Sequence, residues 1–201
     1  MKKIFFSALP VAVIAIMALS PLSDPLPLGS PIPKPDVKMK DISGKEVSLK
    51  DAKTGKGLLV MFSCNTCPFV IKNQERTIEA AKHAMNNGIG VAILNSNEGQ
   101  RGDDDSYEAM KNYAKDQGYN WYYLVDNNSA LADAFGANKT PECFLFNGEG
   151  NLVYHGAIDD RPADASSVTR KHLVAAMDEM KAGKDISVKE SKSVGCGIKR
   201  L

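Results

Sequence analysis

Cys64 and Cys67 stand three positions apart in "SCNTCPFVIKN", residues 63–73. Two thiols at this spacing can exchange disulfides: one sulfur attacks as a thiolate, and the other breaks the mixed bridge and releases the partner. The same spacing also occurs in half of many zinc sites and in loop staples. Cys143 and Cys196 complete a set of four cysteines. That is too few for a disulfide scaffold and suits a redox or metal site. Cys143 opens an apolar stretch and reads either as a small core residue or as a third thiol able to exchange with Cys64. Cys196 lies between Gly195 and Gly197. It could fold back as an auxiliary resolving thiol, form a structural disulfide, with Cys143 for example, or stay free.

These thiols need elements to position them. "GLLVMFS", directly before Cys64, is a continuous apolar run of strand length, as expected of a central strand buried on both faces. "PFVIKNQERTIEAAKHAMNN" follows with helical spacing, and Val70, Ile71, Ile78, Ala81 and Met85 can share one face. Cys64 and Cys67 then sit at a strand's C-terminal end and a helix's first turn, where open α/β sheets place their sites. Unpaired N–H groups there favour a thiolate and predict a pKa below the free value of about 8.5. Pro68 suits the first turn because its missing N–H would have no partner.

Further along, "IGVAILNSN" and "WYYLVD" read as strands, and "DSYEAMKNYAKDQGY" as a helix capped by Ser106 and stopped by Gly118. "SALADAFGA" is a short helix, "CFLFNGEGNLVYHGAI" a hairpin turning at "NGEG", and "SVTRKHLVAAMDEMKAG" a last helix. "DVKMKDISGKEVSLKD" gives two short strands turning at Ser43-Gly44. This order predicts an α/β fold, a central mixed sheet with helices on both faces.

The ends differ from the middle. Lys2 and Lys3 precede an uncharged apolar stretch, residues 4–19, broken by Pro10. Sixteen residues are short for a membrane span of about 20, so residues 1–20 read as a secretory signal peptide, with an N-terminal anchor as the alternative. Either exports the domain to a periplasmic or other extracytoplasmic compartment, which permits disulfides. Residues 20–36 hold six of the ten prolines, and residues 21–35 are expected to be an extended tether. The domain is expected over 36–183, with a loose polar tail, 184–201, carrying Cys196. Lys and Arg total 25 against 24 Asp and Glu, a net charge of +1, so nothing favours nucleic acid as a partner.

"KTPECFLF" supplies a Thr140-Pro141 pair after the cysteines, a candidate cis-proline loop. With "VMFSCNTCPFV", "VAILNSN", "NLVYHG" and "SVGCGIK", it makes residues 36–183 resemble a thioredoxin-like fold of the peroxiredoxin-like, AhpC/TSA-type family. The resemblance implies that Cys64 is the attacking thiol and Cys67 the resolving one. It also implies that Thr140 and Pro141 face them and receive a partner's backbone, with Gly156 nearby. Ser63, Asn65-Thr66 and Leu58 stand where thioredoxin has Trp, Gly-Pro and a buried acid. Glu142 is the candidate replacement proton acceptor.

The implied activity is thiol–disulfide oxidoreductase, exchanging disulfides with proteins and drawing electrons from a thiol protein, with no cofactor and no metal. The alternative is an antioxidant thiol peroxidase. Peroxiredoxins carry Thr or Ser three residues before the reactive cysteine, and here Cys64 stands three before Cys67. A further alternative is a metal-binding or metal-delivery module using His155. "EGQRGDDDS", residues 98–106, reads as a solvated acidic loop at the same sheet end, and "WYYLV" as core.

Overall fold

The computed structural model describes residues 24–201, so the signal or anchor expected over residues 1–20 lies outside the described residues. Along the chain run strands β1 (Met39–Lys40) and β2 (Glu46–Val47), helix α1 (Leu49–Ala52) and β3 (Leu58–Ser63). Next come α2 (Pro68–Lys72), α3 (Gln74–Asn86), β4 (Gly90–Asn95), α4 (Tyr107–Asp116), β5 (Tyr122–Val125) and α5 (Ala130–Phe135). The chain ends with β6 (Lys139–Thr140), β7 (Glu142–Phe146), β8 (Leu152–Gly156), α6 (His172–Lys181) and β9 (Cys196–Gly197).

The central sheet has five strands in the order β5-β4-β3-β7-β8. β3 pairs parallel with β4 and antiparallel with β7, so the sheet is mixed. Every residue of β3 is buried, which is why its sequence shows no alternation. Leu59 and Met61 join Ala80, Ala81 and Ala84 of α3, Met110 of α4 and Leu173 and Met177 of α6 on one face. Leu58, Val60 and Phe62 join Leu49 of α1 and Leu131 and Phe135 of α5 on the other. There Phe62, Phe135 and Phe144 meet edge-on with centroids 5.1 to 5.7 Å apart. This is a thioredoxin-like α/β fold, and β3 holds the cysteine loop from its centre.

Four expectations change. The helix read as continuous from Pro68 breaks at Asn73, whose side-chain amide donates to the carbonyls of Phe69 and Pro162. The break turns Ile71 outward, and Met85 is exposed too, so the core face is built on Val70, Ala80, Ala81 and Ala84. The last helix starts at His172 rather than Ser167, because the Asp160 carboxylate takes the N–H groups of Thr169 and Arg170.

The proline-rich segment is docked from Leu26 onward. Leu26 N–H donates to Phe135 O, Gly29 N–H to Leu152 O and Ile32 N–H to Gly150 O, and Ile32 is buried. Prolines remove donors only at their own positions, and the residues between them still pair. The tail is fastened as well. Residues 189–191 bond to the backbone of His155, and β9 pairs antiparallel with β6. Lys199 N–H reaches Asn97 Oδ1 at 2.9 Å, and Arg200 reaches Asp133 at 2.8 Å. Gly156, at φ +145°, has no room for a Cβ against Ser191, so its lack of a side chain is what admits the tail.

Candidate active site

β3 ends at Ser63, which delivers Cys64 to the C-terminal end of the sheet. Cys67 is the N-cap residue of α2, and Pro68 follows in the first turn. On the facing side, β6 carries Thr140, and the Thr140–Pro141 bond is cis. Cys64 Sγ lies 3.5 Å from Thr140 Oγ1, and Cys67 Sγ lies 3.4 Å from the Thr140 carbonyl oxygen. Two sulfurs therefore share one threonine.

Cys67 is bonded not to Cys64 but to Cys196, across 129 positions of sequence, with Cα atoms 6.1 Å apart. Cys64 keeps a free thiol and is only 2% exposed. Its pKa moves opposite to the sequence expectation. Burial pushes the thiol up, and the Asp105 carboxylate adds to the rise. The Thr140 hydroxyl and the N–H groups of Cys67 and Thr66 pull the other way without overcoming it. α2 has only five residues, too short a helix to offset that desolvation.

Asp105 also departs from what its sequence neighbourhood suggests. The acidic loop was expected in solvent, yet Asp105 is fully buried. Its Oδ1 accepts from Asn65 N–H at 2.9 Å and from Asn95 Nδ2 at 2.6 Å, and its Oδ2 from Asn97 Nδ2 at 2.8 Å. Arg101 closes the turn by donating to Asp105 O and Asn95 O, each at 2.7 Å. The side chain of Asn65 completes the clamp: its Nδ2 donates to Asp104 O, and its Oδ1 accepts from Tyr123 OH. The available signal was the amide pair Asn95 and Asn97 ending an otherwise apolar strand, since buried amides require partners.

Behind Tyr123 stands an aromatic series. Its ring meets Tyr119 at 5.7 Å, and Tyr119 meets Trp121 at 4.8 Å, so "WYYLV" contributes to the core beside the site.

Glu142 lies opposite Phe62 in the β3–β7 ladder and is buried. Its Oε2 accepts from the N–H groups of Asn138 and Lys139 at 2.8 and 2.9 Å, and its Oε1 sits 2.7 Å from His155 Nε2. The carboxylate thus grips the two residues before Thr140. His155 stacks on Phe144 with centroids 4.4 Å apart. Cys143 lies opposite Met61 and Gly156, fully buried in the core, and burial raises its thiol far above the ordinary range. The structure therefore gathers Cys64, Cys67, Thr140, Pro141 and Cys196 at one place and sets Cys143 in the core.

A family model described as Redoxin matches residues 27–171. A hypothetical protein from Sinorhizobium meliloti 1021 has a similar solved structure, with a TM-score of 0.80 and 35% identity, covering 89% of this chain and 97% of that one. The thiol-disulfide oxidoreductase ResA of Bacillus subtilis (strain 168) is 29% identical over 119 residues, 59% of this chain and 62% of that protein. The match thus spans less than two thirds of that relative. The thioredoxin domain of a thiol-disulfide oxidoreductase from Bacteroides vulgatus is alike in fold, with a TM-score of 0.54 and 21% identity, covering 66% of this chain and 89% of that domain.

Proposed function

The chain belongs to the Redoxin family, and on that premise we propose that it is an exported thiol–disulfide oxidoreductase, exchanging disulfides with proteins through Cys64 and Cys67. The observation that carries this reading is the pair of sulfurs within 3.5 Å of Thr140, the residue before cis Pro141. Export is read from Lys2, Lys3 and the apolar stretch after them. Kinship with ResA favours exchange over peroxide reduction.

In this mechanism the Cys64 thiol first loses its proton. The Thr140 hydroxyl and the N–H groups of Thr66 and Cys67 stabilise the thiolate, while burial and Asp105 oppose it. The thiolate attacks one sulfur of a partner disulfide, the S–S bond breaks, and the partner's second sulfur leaves and is protonated. The Cys67 thiolate then attacks Cys64 Sγ, closes a Cys64–Cys67 disulfide and expels the reduced partner. A thiol protein supplying two electrons regenerates the dithiol. Sulfur carries the electrons throughout, so the cycle requires no organic cofactor.

Insulin reduction by the full chain with dithiothreitol tests the reading. Cys64→Ser should lower the rate at least about 100-fold, because no other thiol attacks the partner disulfide before Cys67 in the scheme. Full activity in that variant rejects the mechanism. Faster consumption of hydrogen peroxide than of insulin disulfide, lost in Cys67→Ser, would assign the peroxidase instead.

A further inference from the structure

We infer that Cys196 is a third exchanging thiol, and that the segment between Ser191 and Lys199 is a built-in occupant of the edge where a partner strand would pair. This rests on the thiol–disulfide exchange proposed above and adds its internal substrate.

Three observations converge on Thr140. First, Cys196 is its register partner in the β6–β9 ladder, so the tail already uses the backbone edge beside Pro141. An incoming strand cannot pair with an edge that is taken. Gly195 makes the approach close enough that a Cβ there would overlap the Thr140 carbonyl. Second, the bridge from Cys196 ends on Cys67, not on the core thiol Cys143. Third, Cys64, Cys67 and Cys196 pack together with Phe69 and Val70 in one small apolar cluster. A free thiol thus stands beside a disulfide inside one patch.

The tail is built to open locally. Ser191 is held by Tyr154 OH at 2.7 Å and by Ala157 N–H at 2.9 Å. Lys199 is held by Gly99 N–H and Asn97 Oδ1. Between these anchors the segment has the two-residue β6–β9 pairing, one further backbone bond from Ile198 to Asn138, the buried side chain of Ile198 and the disulfide. Breaking the disulfide removes its covalent hold while both anchors remain.

The internal step is an isoelectronic exchange. Cys64 gives its proton to solvent, and its thiolate attacks Cys67 Sγ. The Cys64–Cys67 bond forms, the Cys67–Cys196 bond breaks, and Cys196 leaves as a thiolate that takes up a proton. No electrons are gained or lost. The disulfide has moved to the pair that meets partners, and the edge at Thr140 is free.

The test uses the full chain oxidised with diamide, quenched in acid with N-ethylmaleimide and mapped by mass spectrometry. The wild type should hold both bridges, Cys67–Cys196 and Cys64–Cys67, in a ratio unchanged by about tenfold dilution, because both are intramolecular. Cys64→Ser should hold Cys67–Cys196 alone and Cys196→Ser Cys64–Cys67 alone. Amides of residues 193–198 should exchange at least about tenfold faster in oxidised Cys196→Ser than in oxidised Cys64→Ser. Cys196→Ser should also reduce insulin at least about threefold faster than wild type, since its edge is untethered. A single bridge of either kind in the wild type overturns the inference, as does a dilution-sensitive Cys67–Cys196 bridge, or, where the wild type reduces insulin, a rate that Cys196→Ser leaves unchanged. If both bridges form in the wild type but neither it nor Cys196→Ser touches insulin, the oxidoreductase reading fails and the internal exchange stands. If insulin is reduced and no Cys67–Cys196 bridge exists, this inference fails alone.

Discussion

Asp105 and Glu142 are buried carboxylates on opposite walls of the same site, and they do similar work with different company. Asp105 takes the N–H of Asn65, the residue after Cys64, while Glu142 takes the N–H groups of Asn138 and Lys139, just before Thr140. Each fixes backbone next to a reacting group. Asp105 satisfies its remaining capacity with the neutral amides of Asn95 and Asn97, whereas Glu142 meets the titratable ring of His155. The cysteine wall is therefore held by an acid with no partner that gains or loses a proton, and its charge falls on Cys64 itself. The proline wall is held by a carboxylate in contact with an imidazole ring. One loop sets thiol acidity while it sets geometry, and the other sets geometry alone.

The contrast can be broken from the larger side first. Asp105→Ala strands three buried donors, Asn65 N–H and the amides of Asn95 and Asn97. The expected loss is about 4 kcal/mol of unfolding free energy in urea melts. A loss below about 1 kcal/mol would mean that water replaces the carboxylate and the clamp is not structural. Glu142→Gln keeps one acceptor oxygen for Asn138 and Lys139 but alters the contact with His155, so about 2 kcal/mol should be lost by the same measurement.

A third experiment sharpens the difference rather than breaking it. Burial and the Asp105 charge raise the Cys64 thiol, so it stays protonated at neutral pH and becomes reactive only as pH climbs past the usual thiol range. The iodoacetamide rate of Cys64 should follow that rise. Asp105→Asn should shift the profile to lower pH, and Glu142→Gln should leave it in place. Equal shifts in both variants would erase the distinction between the two walls. The smallest effect belongs to Ser106→Ala. It removes the hydroxyl that accepts from Ala109 N–H at the start of α4, and should cost about 1 kcal/mol without moving the Cys64 profile.

What could be read in the sequence follows from how local each signal is. β3 announced itself as an unbroken apolar run, and the cysteine pair and Thr140-Pro141 are each contiguous. Ser106 and Gly118 bound α4 as their chemistry dictates. The features that escaped depend on contacts between distant segments. Asp105 looks like its exposed neighbours Asp103 and Asp104 until Asn65, Asn95 and Asn97 surround it. The tail and the proline-rich segment lack periodicity because they pair through backbone at sheet edges and turns, where side-chain type is weakly constrained. Cys196 offered several pairings, and only the position of β9 against β6 selects Cys67.

The aromatic series behind Asn65 has an optical consequence. The chain has a single tryptophan, and Trp121 is 7% exposed. One buried indole per molecule, coupled through Tyr119 and Tyr123 to the residue beside Cys64, makes native fluorescence a label-free reporter of that loop. Stopped-flow emission can then time motions at the cysteines in unmodified protein, with the Tyr123→Phe variant as its blank.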